Sequence, residues 1–428
     1  MLIMILVVIL LTFRFASTNR NQTYVSQLAG ETVEVSGTVF DDPDTASNGL
    51  TKLRLNNLYF GNVKNVEANL YVTVGDDKGI QRSDKVTIHG KLVEGFGSFA
   101  GSIYYGDATK IERPVPGDLA LQAREMFSNL IKERIEEPES NLALGYLLGM
   151  RRALPSDLVE VLKITGLTHI VVASGYNLTI LVRFMRRIFG KVSRFASFFF
   201  ALVLVFGFIA ITGASPSMVR AGIVATISLV AWYFGRDIHP VRLLLITALL
   251  TLILNPTYID DLGWQLSMVA FAGVLLFSPI ITKYFYDDKK PNFFMQILLE
   301  TLSATILTLP ILLFNFGFLS LVTLPANVLV LPTIPFVMAV TFLTGVFFWF
   351  AFLSQFFAFI SSIILKYHIA VMEFFGEQNW AIMEVNINIV AMVFLYAIIF
   401  AIWFYMKKVS HAKLQEVNVV KWDYEKED

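Results

Sequence analysis

The chain has 428 residues, 55% hydrophobic and 16% charged, with a formal net charge of zero and a mean hydropathy of +0.62. Soluble domains carry about a quarter charged residues, so the composition excludes a soluble globular protein and points to an integral membrane protein. With no cysteine, disulfides and thiol catalysis are excluded, and with five scattered histidines in no HExxH or HxH spacing no zinc site, other metal or cofactor is expected.

Residues 1–16 open with the apolar run MLIMILVVILLTF. It lacks a basic start and a small-residue cleavage site, which favours an uncleaved membrane anchor over a signal peptide. Residues 27–113 then alternate with period two, as in TVEVSGTV and KVTIHGKLV, between Gly, Asp and Asn clusters. This is the pattern of about five half-buried antiparallel strands, enough for a small OB-like barrel. Such barrels often bind single strands through aromatics and a basic groove. Aromatics are present (Tyr59, Phe60, Tyr71, Phe96, Phe99, Tyr104, Tyr105), but ten basic and twelve acidic residues between Ser17 and Arg113 leave the domain without a basic balance. The rings therefore read equally as barrel core or as contacts to a membrane domain. Pro114 and Pro116 mark the exit. Residues 117–165 carry apolar positions at helical spacing with charges between, the pattern of interfacial or re-entrant amphipathic helices.

Residues 166–406 form the membrane region. Spans are expected near 168–184, 195–213, 217–234, 242–255, 264–282, 293–315, 321–349, 354–376 and 386–406, about ten with the anchor. Pro325, Pro332 and Pro335 predict that the 321–349 run is a broken helix. Arg183, Arg186, Arg187, Lys191 and Arg194 place one loop in the cytoplasm. Counting spans from that loop puts the β-domain outside and residues 407–428 inside as a charged cytoplasmic tail.

Polar groups inside apolar runs are costly and mark function. The stretch GLTHIVVASGYNLTIL at 166–181 carries His169, Ser174, Gly175 and Asn177, read as lining or gating a path. If it stays helical, His169 and Asn177 lie about 80° apart and Ser174 about 60° further round; the bland alternative is interhelical hydrogen bonding. Ser215-Pro216-Ser217 reads as a helix start, with Arg220 one turn in. A helix N-terminus plus arginine suits phosphate, against simple snorkelling of the arginine. Gln265 and Ser267 open a span after an acidic loop. Glu300 and Asn327 sit within apolar runs, and Glu300 is a candidate partner for Arg220.

These motifs, in order, resemble the ComEC competence family: Gly166-Leu167-Thr168-His169 through Ala173-Ser174-Gly175, then Ser215-Pro216-Ser217 with Arg220-Ala221, then Asn255-Pro256 with Gly263-Trp264-Gln265-Leu266-Ser267, then Leu309-Pro310 and Asn327. The family often has a second histidine where this chain has Asn177. The resemblance implies a polytopic α-helical protein of a bacterial cell membrane with an extracytoplasmic OB-like β-barrel. It implies a non-enzymatic channel that moves single-stranded DNA inward during natural transformation. His169, Ser174, Gly175, Asn177, Gln265, Ser267, Glu300 and Asn327 would line or gate the path, and Ser215, Ser217 and Arg220 would contact phosphate. Larger members end in a metallo-β-lactamase-like domain. No HxHxDH or Walker-type motif occurs here, so a nuclease, a motor and a DNA receptor are expected on other chains, with homo-oligomerisation left open.

Two other readings compete. A secondary transporter of a small anion would use Arg220 and Glu300 at a midplane site, but no internal repeat supports it. An intramembrane serine protease would use Ser174 and His169, but five helical residues put these about 140° apart, a poor dyad.

Overall fold

The computed structural model describes residues 2–45, 49–61, 65–75, 79–150, 154–171, 175–190, 193–287, 289 and 291–410. The chain forms two compact units. One comprises Met1–Glu125, Gly213–Val219 and Ala248–Gln265; the other comprises Met126–Thr212, Arg220–Thr247 and Leu266–Asp428.

The first unit starts with helix α1 (Leu2–Gln27). The anchor expected to end at residue 16 continues as helix for eleven more residues. The reason is packing: Val25 is fully buried in the core of the following barrel, and Tyr24 meets Phe60 edge-on at 6.1 Å. The strands are β1 (Thr32–Val39), β2 (Asp44–Thr45), β3 (Thr51–Phe60), β4 (Leu70–Val74), β5 (Lys85–Glu94) and β6 (Gly101–Glu112). They pair in the order β1-β5-β6-β4-β3-β2, and β1 also pairs with β3, which closes a five-stranded barrel. Every pairing is antiparallel except β4 with β6. The period-two pattern fills the barrel: Leu53, Leu55, Leu58, Val72, Ile88 and Ile103 are fully buried, and closure removes the open sheet edges. In the same unit Arg14 donates to the carbonyls of Ile253 and Leu254, and Gly97 lies against the carbonyl of Asp260. The barrel loop 95–100 and the connection 255–261 therefore share a side.

Helix α2 (Leu119–Lys132) leaves the barrel through two ion pairs. Asp118 caps it, accepting from the Leu121 amide at 2.9 Å, while Arg82 Nε and the Ser83 hydroxyl each reach Asp118 Oδ2 at 2.9 Å. Arg124 holds Asp42 with two bonds, at 2.6 and 2.8 Å.

The second unit is helical. It contains α3 (Glu139–Leu148), α4 (Ser156–Ile164), α5 (Thr168–Val171), α6 (Gly175–Phe189) and α7 (Arg194–Thr212). Helices α8 (Pro216–Tyr233), α9 (Pro240–Leu254) and α10 (Leu262–Ala272) run through both units. A π turn, Gly273–Phe277, joins α10 to α11 (Ser278–Tyr286). Helix α12 (Phe293–Phe316), strand β7 (Phe318–Ser320), α13 (Thr323–Val330), α14 (Ile334–Val346), α15 (Ala351–Gly376), β8 (Ile382–Glu384) and α16 (Ile389–Val409) follow. Among the described residues seven helices are long and apolar enough to cross a membrane, and α9 is a shorter apolar helix.

One expectation changes here. The 321–349 run is not unwound: a single 3₁₀ turn, Leu331–Thr333, carries α13 into α14, and Pro332 and Pro335 occupy helix starts where no amide is needed. In the 166–184 stretch Thr168–Val171 and Gly175–Phe189 are helical, and residues 172–174 between them lie outside the described residues. The π turn has a local cause. Gly273 lies against the Ser303 carbonyl, where any Cβ would sit 2.6 Å away, and Trp403 Nε1 donates to the Leu276 carbonyl at 3.0 Å. A backbone carbonyl at the irregularity thus finds a donor. At the centre lies α3, all ten residues buried, packed against α5, α14 and α15.

One prediction concerns the barrel exit. Burial raises the Asp118 pKa, but Arg82, the Leu121 amide and Ser83 outweigh it and hold the carboxyl below its ordinary value. A carboxyl depressed in the folded state stabilises fully above its unfolded pKa and loses that contribution as pH falls through the folded value. Asp118→Asn is expected to weaken the junction by about 1–3 kcal/mol at neutral pH, seen as faster amide exchange at Leu121, and the difference should begin to shrink only below about pH 4 and vanish below the depressed folded value. Equal exchange in both proteins at neutral pH would refute the assignment.

Candidate functional site

Arg220 sits on α8 one turn after Pro216, where the missing amide of proline costs nothing. Its side chain is 9% exposed. Nε donates to Ser267 Oγ of α10 at 2.6 Å, and the guanidinium lies 5.1 Å from the centre of the Phe271 ring, one turn further along α10. Helix α6 starts against the same place. A Cβ on Gly175 would lie 3.1 Å from Ala221 Cβ and 3.2 Å from Arg220 Nη2, so glycine lets the head of α6 approach the guanidinium. No described carboxylate lies within ion-pair distance of Arg220. A buried cation is therefore held by a hydroxyl and a ring face, beside the partial positive charge of a helix start. That arrangement lacks an anion.

Asn177 follows two residues into α6 and is fully buried. Its Nδ2 donates to the carbonyls of Tyr146 and Ile170 at 3.0 and 3.1 Å. Asn177 thereby ties α6 to both α5 and α3.

The structure thus brings Gly175, Arg220 and Ser267 together and adds Phe271, which the sequence reading missed because a phenylalanine among membrane residues carries no signal. Ser174 lies outside the described residues. The remaining candidates are placed elsewhere. His169 is exposed, and its Nδ1 donates to the Gly166 carbonyl at 2.7 Å. Ser215 accepts from the Met218 amide at 3.4 Å as the cap of α8, and Ser217 reaches the Gly263 carbonyl at 3.5 Å. Gln265 closes the 255–261 connection through the Ile259 carbonyl at 2.7 Å. Glu300 accepts from Gln296 at 3.1 Å and is not the partner of Arg220. Asn327 is buried and donates to the Thr323 carbonyl of its own helix at 2.8 Å.

The barrel aromatics also separate. Phe60 is core. Tyr71, Phe96, Phe99 and Tyr104 instead form one cluster with centroids 5.3–6.3 Å apart, spread over β4, β6 and the 95–100 loop. Phe96 and Tyr104 are about half exposed, and Tyr105 beside them is 74% exposed. Burial among the rings pushes the Tyr71 phenol above its ordinary pKa, with Arg54 opposing, so the face presents neutral rings.

A family model described as Competence protein matches residues 146–409. The chain belongs to the ComEC competence family. The competence domain so defined starts at Tyr146 of α3 and ends with α16. ComE operon protein 3 of Bacillus subtilis (strain 168) is similar, 23% identical over 214 residues, half of this chain and 27% of that protein. The match spans about a quarter of the length of this curated relative. No solved structure matches. With its apolar helices, the competence protein is a multi-pass membrane protein with an N-terminal OB-like barrel.

Asn177→Leu is expected to leave the Tyr146 and Ile170 carbonyls unsatisfied and to destabilise the domain by about 1–3 kcal/mol. The check is thermal unfolding of the detergent-solubilised chain; an unchanged midpoint would contradict the role given to Asn177.

Proposed function

We propose that this chain conducts single-stranded DNA inward across a bacterial cell membrane during natural transformation. The observation that carries the reading is Arg220: a buried guanidinium inside the membrane region, paired with no carboxylate among the described residues and set against the start of α6. A polyanion path needs donors that hold phosphates and release them. One arginine shared between a hydroxyl and a ring face meets that need better than a tight ion pair would. Membership of the competence family and the likeness to ComE operon protein 3 support the substrate class.

The ring cluster on the barrel supports the same reading from a second direction. Bases stack on aromatic faces without regard to sequence, and each contact is worth about 1–3 kcal/mol. Neutral rings on a domain without basic excess would hold the strand by stacking and leave phosphate contact to Arg220. In this reading the barrel faces the outside, the C-terminus the cytoplasm, and the chain acts as a conduit rather than an enzyme. Other chains supply the receptor, the nuclease and the motor.

Uptake of labelled DNA by cells carrying Arg220→Ala is expected to fall at least tenfold, and normal uptake would sink the reading. Phe96→Ala with Tyr104→Ala is expected to weaken binding of an oligothymidylate to the purified full chain by about tenfold or more, measured by fluorescence anisotropy. Unchanged binding would remove the barrel from the path.

A further inference from the structure

The end of α6, the start of α7 and the end of α8 meet in a corner rich in arginine. From Arg183 to Arg242, apart from Arg220, the sequence has seven Lys or Arg and a single acid, Asp237. Trp232, near the end of α8, holds two of the arginines. Arg186 of α6 lies 4.0 Å and Arg194 of α7 5.2 Å from the centre of its ring. Arg194 also donates to the Trp232 carbonyl, and Phe198 of α7 meets Tyr233 at 4.9 Å. Gly235 closes α8 in the left-handed region, its amide returning to the Trp232 carbonyl at 3.0 Å. A Cβ on Gly235 would lie 3.8 Å from Arg194 Nη2, so Arg194 stands against the residue that precedes Arg236.

Two guanidiniums on one ring stand within a Debye length of each other, about 10 Å at 0.1 M salt, so salt does not screen away their repulsion. Arg187, Arg194, Arg236 and Arg242 are exposed. Among the described residues Arg187 and Arg236 form no ion pair, and one carboxylate does not balance the corner. An open groove of about 630 Å³ starts here. Ile227, Val230, Ala231 and Phe234 line it along one face of α8, and Arg236 and Asp237 line its end. Ile227 also packs on the cluster of Val224, Leu243 and Leu275, which ties this face to α9 and the π turn. From Phe234 back to Ile227 the groove runs about 10 Å along the helix, through much of one leaflet, whose hydrocarbon is about 15 Å deep. A positive end thus opens onto an apolar channel of leaflet depth.

We propose that this corner binds one anionic phospholipid, its phosphate held by Arg194 and Arg236 and an acyl chain lying in the α8 groove. Charge complementarity selects the headgroup. Guanidinium forks suit phosphate, whereas a zwitterionic lipid brings an ammonium of its own into a positive field. Asp237 opposes an anion at the same end, and the surrounding arginines outnumber it. The groove selects a lipid over a nucleic acid, because a strand offers phosphate but nothing that leaves water for an apolar channel. Trp232 and Tyr233 belong at headgroup depth, where aromatic side chains anchor helices. The bound phosphate offsets the repulsion between the arginines gathered on Trp232 and so holds the ends of α6, α7 and α8 together. The site lies about 18 Å along α8 from Arg220 and does not depend on the conduit reading.

The test is native mass spectrometry of the full chain in detergent, with phosphatidylglycerol or phosphatidylcholine of the same acyl chains added. One phosphatidylglycerol per chain is expected to be retained about fivefold or more over phosphatidylcholine. Arg236→Gln is expected to weaken that retention about fivefold, the share of one basic residue beside an anionic headgroup, and Arg236→Lys to keep it. Val230→Trp, which fills the groove and changes no charge, is expected to weaken it as well. Arg236 and Val230 are both exposed, so neither variant removes a core contact. Equal retention of the two lipids, or retention unmoved by Arg236→Gln, would overturn the headgroup site. Retention unmoved by Val230→Trp would overturn the acyl groove. An oligothymidylate that displaces phosphatidylglycerol, and itself binds more weakly to Arg236→Gln, would overturn the lipid assignment and make this face a nucleic-acid contact.

Discussion

Helix α3 has ten residues, too few to cross a bilayer, yet every one of them is buried. In an apolar interior its terminal amides and carbonyls and its polar side chains must find partners within the protein. Much of the competence domain answers that demand. The left-handed Gly149 cap returns amides to the end of α3, and Asn177 donates to the Tyr146 carbonyl. Helices α14 and α15 close over its sides. Because α6 is tied to α3 by a side chain rather than by apolar contact alone, the head of α6 has a fixed place, and that place is beside Arg220. The head of α6 and the buried His368 both lie against this one short helix.

The fold was largely legible in the sequence because its signals are local. Period-two alternation gave the barrel strands, and long apolar runs gave α7 to α16 to within about a turn. What failed was non-local. The anchor was cut at residue 16 because Ser17 to Gln27 is polar, and only the burial of Val25 in the barrel explains why the helix continues. The 166–184 run has the composition of a span, and no periodicity reports the bond from Asn177 to Ile170 that ties α6 to α5. The three prolines read as a break because each removes an amide; two of them fall at helix starts, where none is missed.

The candidate site shows the same division. Arg220 and Ser267 were singled out as polar residues in apolar runs, and they meet. Glu300 was singled out on the same grounds and does not join them, because the rule finds costly residues and not their partners. Phe271 and Trp232 are residue types that membrane helices hold in plenty, so their roles emerge only from geometry. The exposed rings of the barrel could be told from its core only once Phe60 was seen to point inward and Phe96 and Tyr104 outward.

The continuity of α1 into the barrel has a mechanical consequence. A helix of 26 residues is a rod of about 39 Å, and its far end is embedded in the barrel core rather than joined by a hinge. The barrel therefore cannot swing freely on a tether. A change in the angle of α1 is then a change in the angle of the aromatic face.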